Sequence, residues 1–378
     1  MASTIGTALR VSIFGQSHSE AIGCVIEGLP SGYTIDLKAL SAFMQRRAPG
    51  RARWETPRSE ADEVHILSGL APDGRTCGAP LALMINNTNV RSVDYELLRR
   101  VPRPGHADWT AQMKWHGAQD VAGGGHFSGR LTAPLCAAGG IALQLLARRD
   151  VHIAAHLLEI AGIRDEPFSA LGNPLDTSLL TTQMSALSDG RSFPTIDEQA
   201  ANDMRAAIED ARSKADSVGG IIECVATGLP AGIGSPMFDG IESTIARAVF
   251  GIPAVKGLEF GRGFGVAKLH GSQNNDPYQI VDGQVHPAKN DAGGNLGGIT
   301  TGAPLLFRMA VKPTSSIGQA QSSVDLVSME PETLRVKGRH DPCIAPRAVP
   351  VAEAVLALAS LDSWLAWPPA APTDERFA

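Results

Sequence analysis

The chain has 378 residues, 43% hydrophobic and 19% charged, a balance that suits a sizeable buried core and excludes the disordered and fibrous classes. Its 33 basic residues against 39 acidic ones give a formal charge of −6, which argues against nucleic acid or an anionic membrane as partner, since both ask for a basic surface. Length allows two average domains or one large core.

The first 15 residues lack the apolar centre of a signal peptide, and no run approaches the roughly 18 apolar residues of a membrane span. Cys24, Cys77, Cys136, Cys224 and Cys343 are odd in number and form no CxxC pair, so neither a disulfide framework nor a metal site is expected. The default compartment is a reducing cytoplasm. With 40 Gly and 25 Pro and no low-complexity tract, many ordered loops are expected, and binding and catalysis concentrate in such loops.

Taken in chain order, the polar loop Phe14–Glu20 carries Ser17 and His18 after an apolar strand. The segment Cys24-Val-Ile-Glu-Gly-Leu-Pro-Ser-Gly32 follows, and it recurs as Cys224-Val-Ala-Thr-Gly-Leu-Pro-Ala-Gly232. Both copies read as a strand ending in a Pro-Gly turn. Helical patterns come next, with Leu37, Leu40, Phe43 and Met44 on one face in the first copy and Ile241, Ile245, Ala248 and Val249 in the second. Two related strand-turn-helix halves are expected.

Arg46, Arg47, Arg51, Arg53 and Arg58 crowd one loop against Glu55, with Arg99, Arg100 and Arg103 further on. An acidic protein that gathers arginine in loops can fork guanidinium groups onto carboxylate or phosphate; a solvated basic face is the alternative. In Arg103-Pro-Gly-His-Ala-Asp108, His106 can move protons near neutral pH, as can His18, or each is a hydrogen-bonded structural residue. Asp108 and Asp341 are each a base or an ion-pair partner, Asp108 being the more turn-like of the two. The glycines before Ser128 and Arg130 leave backbone N–H groups free to cradle a phosphate at a helix start.

The segment Arg130–Arg149 is apolar nearly all round, so it must be covered on several sides. Central helices between two sheets, as one α+β domain, satisfy that need. The stretch from about Pro194 to Ser217 reads as a polar surface helix, and Val349 to Trp364 as a last helix apolar on most faces. The catalytic domain is expected over residues 1–364, with a loose tail over 365–378. No HExxH, GxSxG, Walker lysine or CxxC appears, which disfavours zinc proteases, serine hydrolases, ATPases and thiol redox enzymes.

Together and in this order the loops resemble the chorismate synthase family. The resemblance runs from about Gly6 to Asp362. Its most specific segments are Arg103-Pro-Gly-His-Ala-Asp108, Lys312-Pro-Thr-Ser-Ser316 and Gly338-Arg-His-Asp-Pro-Cys343, supported by Arg46–Gly50, Asn86–Asn89, Phe238-Asp239, Ala254–Gly257 and Arg347–Val351. It implies a β-α-β sandwich with central helices between antiparallel sheets, assembled as a homotetramer. It also implies anti-1,4-elimination of phosphate from 5-enolpyruvylshikimate 3-phosphate to chorismate, a step of aromatic amino acid biosynthesis that needs reduced FMN without net redox change. NADPH is a possible reductant of that flavin.

The resemblance further implies that His106 protonates the reduced flavin, that His18 protonates the leaving phosphate, and that Asp341 helps remove the ring proton through flavin N5. Arg47, Arg53, Arg103 and Arg130 hold substrate anions, with Arg339 at the flavin and substrate. Ser17 and Ser128 lie between the two ligands. Pro253, Ala254, Gly297, Lys312, Pro313, Thr314, Ser315 and Ser316 line the flavin. Two segments depart from the common family pattern. GESHG is Gly15-Gln-Ser-His-Ser19 here, and in GGGRSSARET an arginine and a serine are replaced by His126 and Phe127, both expected near the flavin.

Overall fold

The computed structural model describes residues 3–48, 50, 62–88, 96–188, 193–336 and 341–370. Two five-stranded antiparallel sheets face each other across a helical layer. In the first sheet the strands lie in the order Thr4–Ile5, Arg10–Phe14, Ala21–Glu27, Leu81–Asn86, His65–Ser68. In the second the order is Ile163–Arg164, His152–Ile160, Gly220–Thr227, Leu305–Val311, Val255–Phe260. The expected α+β sandwich is therefore the observed architecture.

The helical layer is built on two long apolar helices, Thr132–Ala147 and Ala345–Ala366. Each is rich in Ala and Leu, which lose little on becoming helical, and each buries nearly its whole circumference. Two helices do reach the length and apolar composition of a membrane span, Gly129–Ala147 and Ala345–Ala366, which corrects the reading that no such run exists. Their apolar windows are 78% and 83% buried inside the fold, so their hydrophobicity is spent on the two sheets and on each other. At their crossing a methyl built on Gly139 would stand 2.3 Å from Ala354 Cβ, so the absent side chain is what allows the close approach.

The internal repeat is carried into hydrogen bonding. Thr76 Oγ1 donates to Pro30 O at 2.7 Å while Gly32 N donates to Thr76 O; in the other half Thr300 Oγ1 donates to Pro230 O at 2.7 Å while Gly232 N donates to Thr300 O. Gly32 and Gly232 sit at φ 85° and 97°, a backbone region costly for other residues. The helices that follow are Leu37–Arg47, capped by Asp36, and Ile241–Val249. All four apolar residues expected on the second helix are buried. On the first, Leu37 is 55% exposed, because as the opening residue it lies ahead of the stripe that begins at Leu40.

The expected polar surface helix is Glu198–Ser213, capped by Asp197, and it is amphipathic: Ala200, Ala201, Met204, Ile208 and Ala211 are buried. Just past that helix Trp367 O accepts from Gly234 N at 3.2 Å, and residues 371–378 of the expected tail lie outside the described residues.

Candidate active site

The site grows around the turn Gly123-Gly-Gly125, where all three residues have positive φ, at 60°, 84° and 52°. Only glycine adopts three such conformations in succession at low cost. The missing side chains also make room. A methyl on Gly123 would lie 2.5 Å from Ser17 Oγ and 2.7 Å from His18 Nε2, and one on Gly124 would lie 3.4 Å from His106 Nε2. The turn thus touches both histidines of the sequence reading, and Gly125 O accepts from Ser17 N at 3.1 Å to fix the loop of residues 15–19 upon it. Ser128 Oγ lies 3.2 Å from Ser17 Oγ and also accepts from Arg130 N, so the serines sit between the turn and the basic residues.

Those basic residues form a buried cluster. Arg47 and Arg130 both donate to Asp62, Arg47 through Nε at 3.0 Å. Arg47 Nη1 also reaches Thr132 Oγ1 at 3.3 Å and Arg130 Nε donates to Asn87 Oδ1 at 2.9 Å. Burial opposes ionisation of Asp62, but the two guanidinium groups win and hold its carboxyl below the usual range. Among the described residues the two guanidinium groups share one carboxylate, all three with little access to water. That is the electrostatic condition for capturing a carboxylate or phosphate. Arg347 Nε donates to Arg47 O at 3.1 Å and its Nη1 to Asp341 Oδ2 at 2.8 Å, which ties Asp341 to the same cluster.

On the other side of the turn Arg103 is engaged within its own loop. Its Nε and Nη2 each donate to Asp108 at 2.8 Å and its Nη1 to Ser316 Oγ at 3.1 Å. In this state it supports the loop and does not offer an open fork to a ligand. Asp108 also lies 2.6 Å from His106 Nδ1. Burial opposes its ionisation, yet the Arg103 and His106 hydrogen bonds hold the carboxyl well below the usual range.

Lys312 packs on this loop, Nζ donating to Gly105 O at 2.9 Å and to Ser315 Oγ at 2.7 Å, while Lys312 N donates to Ala254 O. Burial, with Lys256 nearby, pushes the Lys312 ammonium down. Thr314 Oγ1 is buried with no hydrogen-bond partner among the described residues.

A cavity of about 860 Å³ opens beside the turn, lined by His126, Phe127, Pro253, Trp115 and Ile13 among others. Phe127 packs on Trp115 with ring centroids 5.8 Å apart, and His126 Nε2 lies 3.1 Å from Ser3 Oγ, so both departing residues have partners within the chain. Gly297 stands apart, in the turn of the short hairpin Asn295–Leu296/Ile299–Thr300, which pairs with Gly234. Arg53 and Arg339 lie outside the described residues.

Asp62 and Asn87 are not singled out in sequence, and Asp108 reads there as a base, an ion-pair partner or a turn residue. Asp62 follows the arginine-rich loop, but it meets Arg130 across 68 positions, a separation that no local pattern reveals. Asn87 and Arg347 stood within supporting motifs without a role.

The chorismate synthase family profile matches residues 9–365. A chorismate synthase of Lancefieldella parvula is 53% identical over 371 residues, covering 97% of each chain. One of Korarchaeum cryptofilum is 43% identical over 363 residues, covering 94% of this chain and 96% of its own. A crystal structure of chorismate synthase superposes with a TM-score of 0.74 at 24% identity, covering 96% of this chain and 93% of the other, which establishes the shared fold. By profile match and by near full-length identity, the chain belongs to the chorismate synthase family.

Proposed function

We propose that this chain converts 5-enolpyruvylshikimate 3-phosphate to chorismate by anti-1,4-elimination of phosphate, with a reduced FMN bound beside the substrate. The observation that carries the reading is the Gly123–Gly125 turn, which meets His18 and His106 next to the buried Arg47–Asp62–Arg130 cluster. A substrate with two carboxylates and a phosphate needs buried guanidinium donors of this kind.

In the proposed chemistry Arg47 and Arg130 bind the anionic groups, with Arg53 and Arg339 added from outside the described residues. His18 gives a proton to the phosphate oxygen as the carbon–oxygen bond breaks. Asp341, oriented by Arg347, assists loss of the ring proton. His106 Nε2 carries a proton at the turn, and Ser17 and Ser128 orient the groups between.

The residues present fit a flavin phosphate and a planar ring. Lys312 and the unpartnered Thr314 Oγ1 suit the former, with Pro313, Ser315 and Ser316 beside them, and the cavity at His126, Phe127 and Pro253 suits the latter. Ala254 and Gly297 complete the proposed flavin contacts. When bound, the reduced flavin supplies electrons that assist departure of the phosphate and are returned before turnover ends.

A homotetramer is proposed alongside, supported by exposed apolar side chains such as Phe238 at 86% and Phe264 at 83%. A cytoplasmic setting suits the five free cysteines. Anaerobic incubation with the substrate and chemically reduced FMN should release inorganic phosphate and chorismate; no release would overturn the reading. Substituting NADPH and oxidised FMN in the same assay decides whether the chain reduces its own flavin.

A further inference from the structure

We propose that Asp108 is a positioning residue for the reaction: it holds His106 in the Nδ1–H tautomer, and Arg103 balances its charge, so that Nε2 is the atom that takes and gives the proton. This rests on His106 being a proton carrier in the elimination proposed above.

Asp108 Oδ1 is 2.6 Å from His106 Nδ1 and accepts Arg103 Nη2 at 2.8 Å, while Oδ2 accepts Arg103 Nε at 2.8 Å and Arg103 N at 3.0 Å. A carboxylate saturated by guanidinium donors can only accept, so the ring nitrogen facing it must bear the hydrogen. Arg103 Nη2 also comes within 3.1 Å of Nδ1, but Asp108 Oδ1 is nearer at 2.6 Å, and a carboxylate oxygen that close to a bare ring nitrogen would set lone pair against lone pair. The neutral ring is left with its lone pair on Nε2. That atom faces the turn, 3.4 Å from where a Gly124 side chain would begin.

The charges decide a second property. An unpaired buried carboxylate at Nδ1 would favour the imidazolium and make the ring slow to give up its proton. Arg103 cancels that charge at the source and is itself anchored to Ser316 Oγ at 3.1 Å. The ring is therefore oriented by a carboxylate that is itself paired, which suits a group that must gain and lose a proton in each cycle. The arrangement also links the proton carrier to the Lys312–Ser316 segment through one guanidinium.

The test begins with the wild-type protein free of ligand, labelled with ¹⁵N-histidine, the His106 signals being identified by their loss in His106→Gln. In its neutral form His106 should show the Nδ1–H pattern; a dominant Nε2–H form overturns the proposal, whether or not the enzyme is active. In Asp108→Asn the neutral ring should become a mixture of tautomers, with kcat down by roughly 10²-fold and the substrate KM within a few fold. Asp108→Glu should recover part of kcat and of the tautomer bias. Unchanged tautomer and kcat in a folded Asp108→Asn would overturn the assignment. A normal tautomer in a wild type that releases no phosphate would instead count against the reaction.

Discussion

The sharpest prediction concerns Gly123→Ala. The added methyl would start 2.7 Å from His18 Nε2 and 2.5 Å from Ser17 Oγ, so the imidazole must retreat by about 0.7 Å to reach ordinary contact. Misplacement of a reacting group by about 1 Å can cost up to roughly 10²-fold. Holding alanine at φ 60° costs a further ~1–2 kcal/mol of stability. The expected result is a drop in kcat of roughly ten- to a hundredfold, read as phosphate release with reduced FMN, and a small fall in the urea midpoint.

Two neighbours separate strain from displacement. Gly124→Ala imposes the same kind of backbone strain at φ 84°, but its methyl meets His106 Nε2 at an ordinary 3.4 Å, so it should lose stability with less loss of rate. Gly129→Ala meets nothing within 4 Å and should behave as wild type. If Gly123→Ala kept its rate within twofold, or Gly124→Ala lost more, the geometry claimed for the turn would be wrong.

Gly139→Ala should destabilise the chain by about 2 kcal/mol, because overpacking against Ala354 of roughly 3 kcal/mol outweighs a helix-propensity gain of roughly 1 kcal/mol. Gly140→Ala, whose neighbours are the movable ends of Leu40 and Phe43, should cost less; chemical denaturation measures both, and a Gly139→Ala at least as stable as wild type would refute the packing argument. The buried ring of His156 bridges Asp165 at 2.8 Å and Glu223 at 3.1 Å, with Arg308 and Glu259 behind Glu223. Burial disfavours its charged form, but the carboxylates raise its pKa above the ordinary 6.5, so its contribution is full below that pH and is lost as pH climbs through the raised value. For Glu223 burial again opposes the charge, and its partners hold it below the ordinary 4.5, so its share is full above that pH and fails on acidification. Urea midpoints should therefore be highest between these limits, and His156→Gln should flatten the alkaline decline; an unchanged alkaline slope would refute the bridge.

The repeat and the all-apolar helices were legible in sequence because they are local patterns with a physical period or a turn chemistry. The turn at Gly123 could be read as a cradle, and His18 and His106 as proton carriers, from composition and loop context. What sequence did not show was partnership over distance. Asp62 meets Arg47 and Arg130 only after the sandwich has closed, whereas Arg103 and Asp108 form a local pair within one loop that their spacing alone does not reveal. The Leu37 error has the opposite origin: a helical period says which residues share a face, but not where along the axis the covering layer begins.

Asp362, near the end of the second central helix, accepts the backbone N–H groups of Thr7, Ala8 and Leu9 at 2.8 to 3.0 Å. Those partners are about 355 positions apart, so the first strands made by the ribosome are fastened by almost the last helix to emerge. At the roughly 5–20 residues per second of synthesis, that fastening waits on the order of tens of seconds, while the inner face of the N-terminal sheet is met much earlier by the helix Thr132–Ala147. The surface left open longest is that of the second sheet, whose strands His152–Ile160 and Gly220–Thr227 pack on Ala345–Ala366, so shielding that face until the late helix emerges should raise the folded yield.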